Sequence, residues 1–169
     1  MDIILVMNAQ NSFLSKNGSV YMGEKAETLK VRMVDYLSGY PRKKVFCVEK
    51  HAQGDSFFVN DKTHSIATTE DTVVPEPVKR YANYFFDKTR YSAFHNTDFE
   101  PFLKREGVLH AGIMGVETHT SVLFTAEELR NRGYEVTVIE PCTMSRDDFM
   151  HAYAITLMKN FLGVRVSNG

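Results

Sequence analysis

Leu109-His110-Ala111-Gly112-Ile113-Met114-Gly115-Val116-Glu117-Thr118-His119-Thr120-Ser121-Val122 carries three kinds of local signal in fourteen residues. The apolar run from Leu109 to Met114 predicts a short strand, and Gly115-Val116 predicts a turn. Thr118 to Ser121 then form the polar first turn of a helix whose apolar positions are Val122, Ala126 and Leu129. A strand-turn-helix junction presents free backbone N–H groups at the positive end of a helix dipole. An oxyanion or a nucleophile placed there is stabilised. Function is expected at this junction.

Upstream, Ile3 to Met7 is a continuous apolar run that ends abruptly in Asn8-Ala9-Gln10-Asn11-Ser12. This predicts a strand buried on both faces, with a polar loop at its C-terminal end. Ala26, Leu29, Met33, Val34 and Leu37 recur at helical spacing over Lys25 to Ser38, and Gly39 with Pro41 stops the run. Val45 to Val48 is the next strand, and Glu49 to Pro77 is polar, punctuated and long enough to be a functional loop region. Phe85 and Phe86 begin a third strand that leads into Asp87-Lys88-Thr89-Arg90.

Thr97-Asp98-Phe99-Glu100 opens a helix in capping-box fashion. Downstream of the junction the helix stops at Gly133, Glu135 to Glu140 is the fifth strand, and Ser145-Arg146-Asp147-Asp148 caps a last helix. Strands alternating with helices give an α/β class. The expected architecture is a three-layer α/β/α, Rossmann-like domain over residues 1–169, with a mainly parallel sheet of five or six strands and right-handed crossovers. Ligands bind such sheets outside the carboxyl ends of the strands. Asn8, Glu49-Lys50-His51, Lys88 and Ser121 all fall on that edge and form one candidate site.

Composition narrows the class of partner. Twenty basic residues against 21 acidic ones leave no field to steer nucleic acid or an anionic membrane surface. The apolar run at Ile3 to Met7 lacks a basic flank and is too short for a signal peptide or a membrane span. Cys47 and Cys142, each in or beside an apolar run, suit a reducing cytoplasm and small core roles. A small-molecule ligand is the expected partner. The fold requires neither a disulfide nor a metal.

The arrangement resembles the isochorismatase-like hydrolase superfamily, which includes nicotinamidases, other cysteine-dependent amidohydrolases and isochorismatases. The family's opening Asp-x-Gln-Asn-Asp-Phe-like segment is matched by Asn8-Ala9-Gln10-Asn11-Ser12-Phe13, with Asn8 in the Asp position. Lys88-Thr89-Arg90-Tyr91-Ser92-Ala93-Phe94 matches the family's Lys followed by an Arg-Tyr-Ser-Ala-Phe-like run. Gly115-Val116-Glu117-Thr118-His119-Thr120-Ser121-Val122 matches Gly-Val-x-Thr-x-x-Cys-Val, with Ser121 in the Cys position. Gly133-Tyr134-Glu135-Val136 and Glu140-Pro141-Cys142 echo the later segments, so the likeness spans nearly the whole chain.

The resemblance implies a triad of Asn8, Lys88 and Ser121 in place of Asp, Lys and Cys. It also implies a cis Val116-Glu117 peptide bond, substrate contacts at Val116, Glu117 and Thr120, and specificity in the segment equivalent to Asn60 to Lys79. Phe13, Tyr91 and Phe94 either wall an apolar pocket or belong to the ordinary core. Glu117 is either a ligand contact or a favourable charge at a helix N-terminus. Nicotinamidase-like members hold a metal with an Asp-x-His pair and a further His, and Glu49, His51 and His64 resemble that set. Homodimers or larger homo-oligomers are common in the family.

The two substitutions change the chemistry. Asn8 cannot accept a proton, and Ser121 is a poorer nucleophile than a thiolate unless a base activates it. Three readings follow. Lys88, freed of a neighbouring carboxylate and lowered by burial, acts as base toward Ser121 in a hydrolase of amide or related C–N and C–O bonds. Alternatively, hydrolysis is lost, and the domain binds a small molecule or a protein partner in the same pocket. In the third reading, Glu49, His51 and His64 hold zinc or another divalent metal for a metal-assisted hydrolysis. The bland counterpart of that third reading is a solvated polar loop.

Overall fold

In a computed structural model, which describes residues 1–58 and 62–168, six parallel strands form one sheet in the order β3-β2-β1-β4-β5-β6. The elements in chain order are β1 (Ile3–Met7), α1 (Asn11–Leu14), α2 (Glu24–Gly39), β2 (Lys43–Glu49), α3 (Glu76–Lys79) and β3 (Tyr84–Lys88). They continue with α4 (Phe99–Arg105), β4 (His110–Val116), α5 (Leu123–Asn131), β5 (Glu135–Met144), α6 (Asp148–Asn160) and β6 (Arg165–Ser167). Asn60 and Asp61, part of the segment expected to set specificity, lie outside the described residues.

β1 lies at the centre, paired with β2 on one side and β4 on the other, and all five of its residues are buried. Its side chains alternate between two cores, as the two-residue period of a strand requires. Ile3, Leu5 and Met7 join Phe99, Phe102, Ala126 and Leu129 from α4 and α5. Ile4 and Val6 join Ala26, Leu29, Met33 and Leu37, the apolar stripe of α2. The unbroken apolar run in the sequence is therefore the mark of a strand covered on both faces.

Two departures from the sequence reading concern β5 and the junction. β5 runs on to Met144, four residues beyond the expected end, because its pairing with β4 slips between Ile113 and Gly115 and resumes at Thr143. The slip is local to Gly115, whose φ is +119° and where a Cβ would lie 2.1 Å from the Met7 carbonyl oxygen. Only glycine fits this close approach. The first helical turn of the junction, Thr118–Val122, is a single π turn ahead of α5, whereas the Val116-Glu117 peptide bond is cis, as the resemblance implies. Among the described residues no helix is long and apolar enough to cross a membrane.

Candidate functional site

Three strand ends converge on one hydroxyl, which the turn after β4 supplies. β1 delivers Asn8, which takes the left-handed conformation (φ 49°) that asparagine tolerates and whose backbone N–H donates to the Cys47 carbonyl at 2.8 Å. β2 ends in Glu49 and β3 in Lys88, register partners on adjacent strands. Two residues earlier, Cys47 and Phe86 belong to the core beneath α4 and α5, so Glu49 and Lys88 continue that face, on the side from which the turn before α5 brings in Ser121.

The sequence-predicted triad is assembled, and all three side chains are buried. Asn8 Nδ2 and Lys88 Nζ each donate to Ser121 Oγ at 3.0 Å. Glu49, which the sequence puts on the same edge but gives a role only in the metal set, completes the cluster as its fourth group. Ser121 Oγ donates to Glu49 Oε1 at 3.0 Å, and Lys88 Nζ reaches the same oxygen at 2.8 Å. Lys88 Nζ also donates to the Arg90 carbonyl at 3.0 Å. An ammonium has three protons, and here each has an acceptor.

The premise that Lys88 stands without a carboxylate is therefore not met. Glu49 supplies the charge that Asn8 lacks. Burial on its own raises the Glu49 carboxyl, but the Lys88 ammonium with its hydrogen bond, and the nearby His51 and His64 imidazoles, outweigh it and hold the group well below the usual carboxylate range. Burial lowers the Lys88 ammonium, opposed by the charge and hydrogen bond of Glu49.

Gln10 is the residue that sequence reasoning passed over. Its side-chain oxygen accepts the Glu49 backbone N–H at 2.8 Å, and its Nε2 donates to the Glu49 carbonyl at 3.0 Å and to Ser65 Oγ at 3.0 Å. One amide thus fixes both backbone polar groups of Glu49. The available signal was a lone glutamine in the polar segment two residues after Asn8, a segment already assigned to the functional edge.

Beyond Glu49 lies a histidine and aromatic cluster. His51 Nε2 and His64 Nδ1 both stand 3.8 Å from Glu49 Oε2, and His51 Nδ1 is 3.4 Å from Asp55, which Arg90 pairs at 3.0 Å. Phe13 packs edge-on to His64, and Phe57 packs edge-on to Tyr91, which stacks on Phe124. A recess of about 220 Å³ lined by Phe57, Arg90, Tyr91 and Phe124 borders this aromatic wall.

A carboxylate with two imidazoles is a zinc-type donor set by chemistry, and His51 Nε2 is buried without a hydrogen-bond partner. The placement does not complete such a site. Glu49 Oε1 is committed to Lys88 and Ser121, and among the described residues no group of three or more His, Cys, Asp or Glu side chains is arranged to hold a metal ion. No step is derived through a metal.

At the junction, Val116 is buried, and the Glu117 carboxylate is taken up by Arg146, whose backbone N–H, Nε and Nη2 each donate at 2.9 Å. Glu117 thus fastens the junction to the start of α6. The Thr120 backbone N–H is bonded to the Glu117 carbonyl at 3.2 Å. His119 Nδ1 lies 2.9 Å from Ser145 Oγ. Burial pushes the Cys47 thiol up to about 12 and the Cys142 thiol up to about 11, as core cysteines require.

Residues 2–168 match the family model described as Isochorismatase domain. An isochorismatase family protein, PncA, of Bacillus subtilis (strain 168) is 26% identical over 178 residues, covering 97% of each chain. A crystal structure of the nicotinamidase/pyrazinamidase PncA from Bacillus subtilis superposes with a TM-score of 0.88 at 25% identity, over 98% of each chain. PnC1 of L. infantum, solved with nicotinate, has the same fold at 21% identity, with a TM-score of 0.88 over 99% of this chain and 92% of its own.

Proposed function

Because the chain belongs to the isochorismatase family, we propose that it hydrolyses a small carboxamide or a related C–N or C–O bond, with Ser121 as the attacking group. The observation that carries this reading is the approach of Lys88 Nζ to Ser121 Oγ at 3.0 Å inside a buried polar cluster. The similar Bacillus subtilis structure is named a nicotinamidase/pyrazinamidase, which makes an aromatic carboxamide the first substrate to try. The aromatic residues Phe13, Phe57 and Tyr91 beside the cluster suit a flat ring.

Asn8 Nδ2 and Lys88 Nζ are two donors fixed on the oxygen that attacks. As Ser121 loses its proton the charge on Oγ grows, and donors already in place stabilise it without reorganisation. The direct test is turnover of a panel of small amides and esters, together with labelling of Ser121 by a small dialkyl fluorophosphonate. Turnover with an adduct at Ser121 is expected; neither turnover nor adduct would end this reading.

A second reading, a binding module without hydrolysis, is favoured by one observation: position 8 presents an amide donor where the family has an acid. Equilibrium binding of a carboxamide without turnover is its signature. In either case the setting we infer is a reducing cytoplasm, for the chain carries two free buried thiols. Self-association is inferred from exposed Phe149, Tyr153 and Phe161, and sedimentation tests it.

A further inference from the structure

We propose that Glu49 is the general base of this site, taking the proton of Ser121 in place of the acid missing from position 8. The inference rests on the hydrolase reading above and names the group that makes it work. Ser121 has one hydroxyl proton, and it is directed to Glu49 Oε1 at 3.0 Å. The other two groups on Ser121 Oγ, Asn8 Nδ2 and Lys88 Nζ, are donors, so neither is placed to receive that proton. Glu49 is held for the task by the Gln10 amide on its backbone and by Lys88 on its carboxylate. β2 and β1 are neighbours, so a carboxylate at the end of β2 reaches the hydroxyl that an acid at the end of β1 would reach.

Ser121 Oγ forms a bond to the carbonyl carbon of the amide, its proton passes to Glu49 Oε1, and the carbonyl π pair moves to oxygen. The tetrahedral intermediate collapses, the C–N bond breaks, and Glu49 returns the proton to the leaving nitrogen. Water then attacks the acyl-Ser121 ester; its proton goes to Glu49 and on to Ser121 Oγ, releasing the acid. Lys88 remains an ammonium throughout, opposing the charge that appears on the serine oxygen.

The experiment follows the rate at which a small dialkyl fluorophosphonate modifies Ser121, read by intact mass, in the wild-type chain and in E49Q, E49D and the double variants E49Q/N8D and E49D/N8D. E49D keeps the charge beside Lys88 and withdraws the carboxylate by one methylene, so it guards against a loss that is only a folding defect. Both single variants are expected to slow labelling by about 10²–10⁴-fold, the usual worth of a general base. N8D is expected to restore at least about tenfold of that, since an aspartate oxygen would stand where Asn8 Nδ2 now touches Ser121 Oγ. Wild-type rates in E49Q and E49D would overturn the assignment and leave the hydrolase reading intact. Slowing that N8D does not relieve is the behaviour of a merely structural carboxylate and overturns it too. No adduct in the wild-type chain removes the Ser121 reading itself, and this inference with it.

Discussion

Glu49 and Lys88 are register partners at the carboxyl ends of β2 and β3, and their side chains meet at 2.8 Å with almost no exposure to solvent. A buried pair of this kind is weak evidence for stability as a pair. Removing one member is costly because it strands the other charge. Lys88→Met should therefore destabilise the domain by about 3–5 kcal/mol, and the double variant K88M/E49Q should recover part of that loss. Urea denaturation of the four proteins checks it; full additivity of the two single effects would refute the coupling.

The acid limb of stability follows from the same pair. Glu49 is depressed in the folded chain below its ordinary value of 4.5. Its contribution is thus complete above about pH 4.5 and is lost as pH falls from there toward the folded value. Asp55, held low by the Phe57 backbone N–H, works in the same direction, so wild type alone does not isolate Glu49. The difference in unfolding free energy between wild type and E49Q should shrink as the pH drops below about 4.5. A difference that stays constant to the end of the acid transition would contradict the ionised state of Glu49.

Gly115 is where β4 has to pass within reach of Met7. Gly115→Ala would set a methyl 2.1 Å from the Met7 carbonyl at a positive φ, and backbone cannot step aside as a flexible side chain does. A loss above about 3 kcal/mol, or failure to fold, is expected. Gly39→Ala, at the end of α2 where an added Cβ meets nothing within 4 Å, is the control and should be neutral or stabilising by up to about 1 kcal/mol. Thermal unfolding of both variants decides the contrast.

Arg146 holds the carboxylate of Glu117 with two side-chain donors in addition to its own backbone N–H. Arg146→Ala should cost about 2 kcal/mol in urea denaturation, since a buried carboxylate keeps only part of its hydrogen bonding. If Glu117 fastens the junction and does not touch substrate, KM should change little while kcat falls with the position of Ser121. A large rise in KM at constant kcat would make Glu117 a ligand contact instead.

Chelation separates the serine reading from a metal-assisted one. Treatment with EDTA should leave Ser121 labelling and turnover unchanged, because the proton acceptor on Ser121 is a side chain. Loss of both on chelation, restored by zinc, would favour a cation at Glu49, His51 and His64.

Much of the fold was legible because two-face burial writes itself into the chain. Ile3 to Met7 and Val45 to Val48 read as strands, and Gly39 and Gly133 marked helix ends, without any tertiary knowledge. The slip in β5 was not legible, since it arises from a close approach between Gly115 and Met7, over a hundred residues apart. At the site, Asn8, Glu49, Lys88 and Ser121 could be placed on one edge because each follows the carboxyl end of a strand, and the resemblance singled out three of them as a triad. The link from Glu49 to Lys88 depends on the register between β2 and β3, which no local pattern specifies. Strand ends read separately give Glu49 a role only beside the histidines, whereas the paired ends bring it to the serine.

Gln10 ties the backbone of Glu49 from both sides, so the loop after β1 sets where the tip of β2 presents its carboxylate. Several strand tips address one small volume, so the charge at its centre is a property of the neighbourhood and not of any one strand.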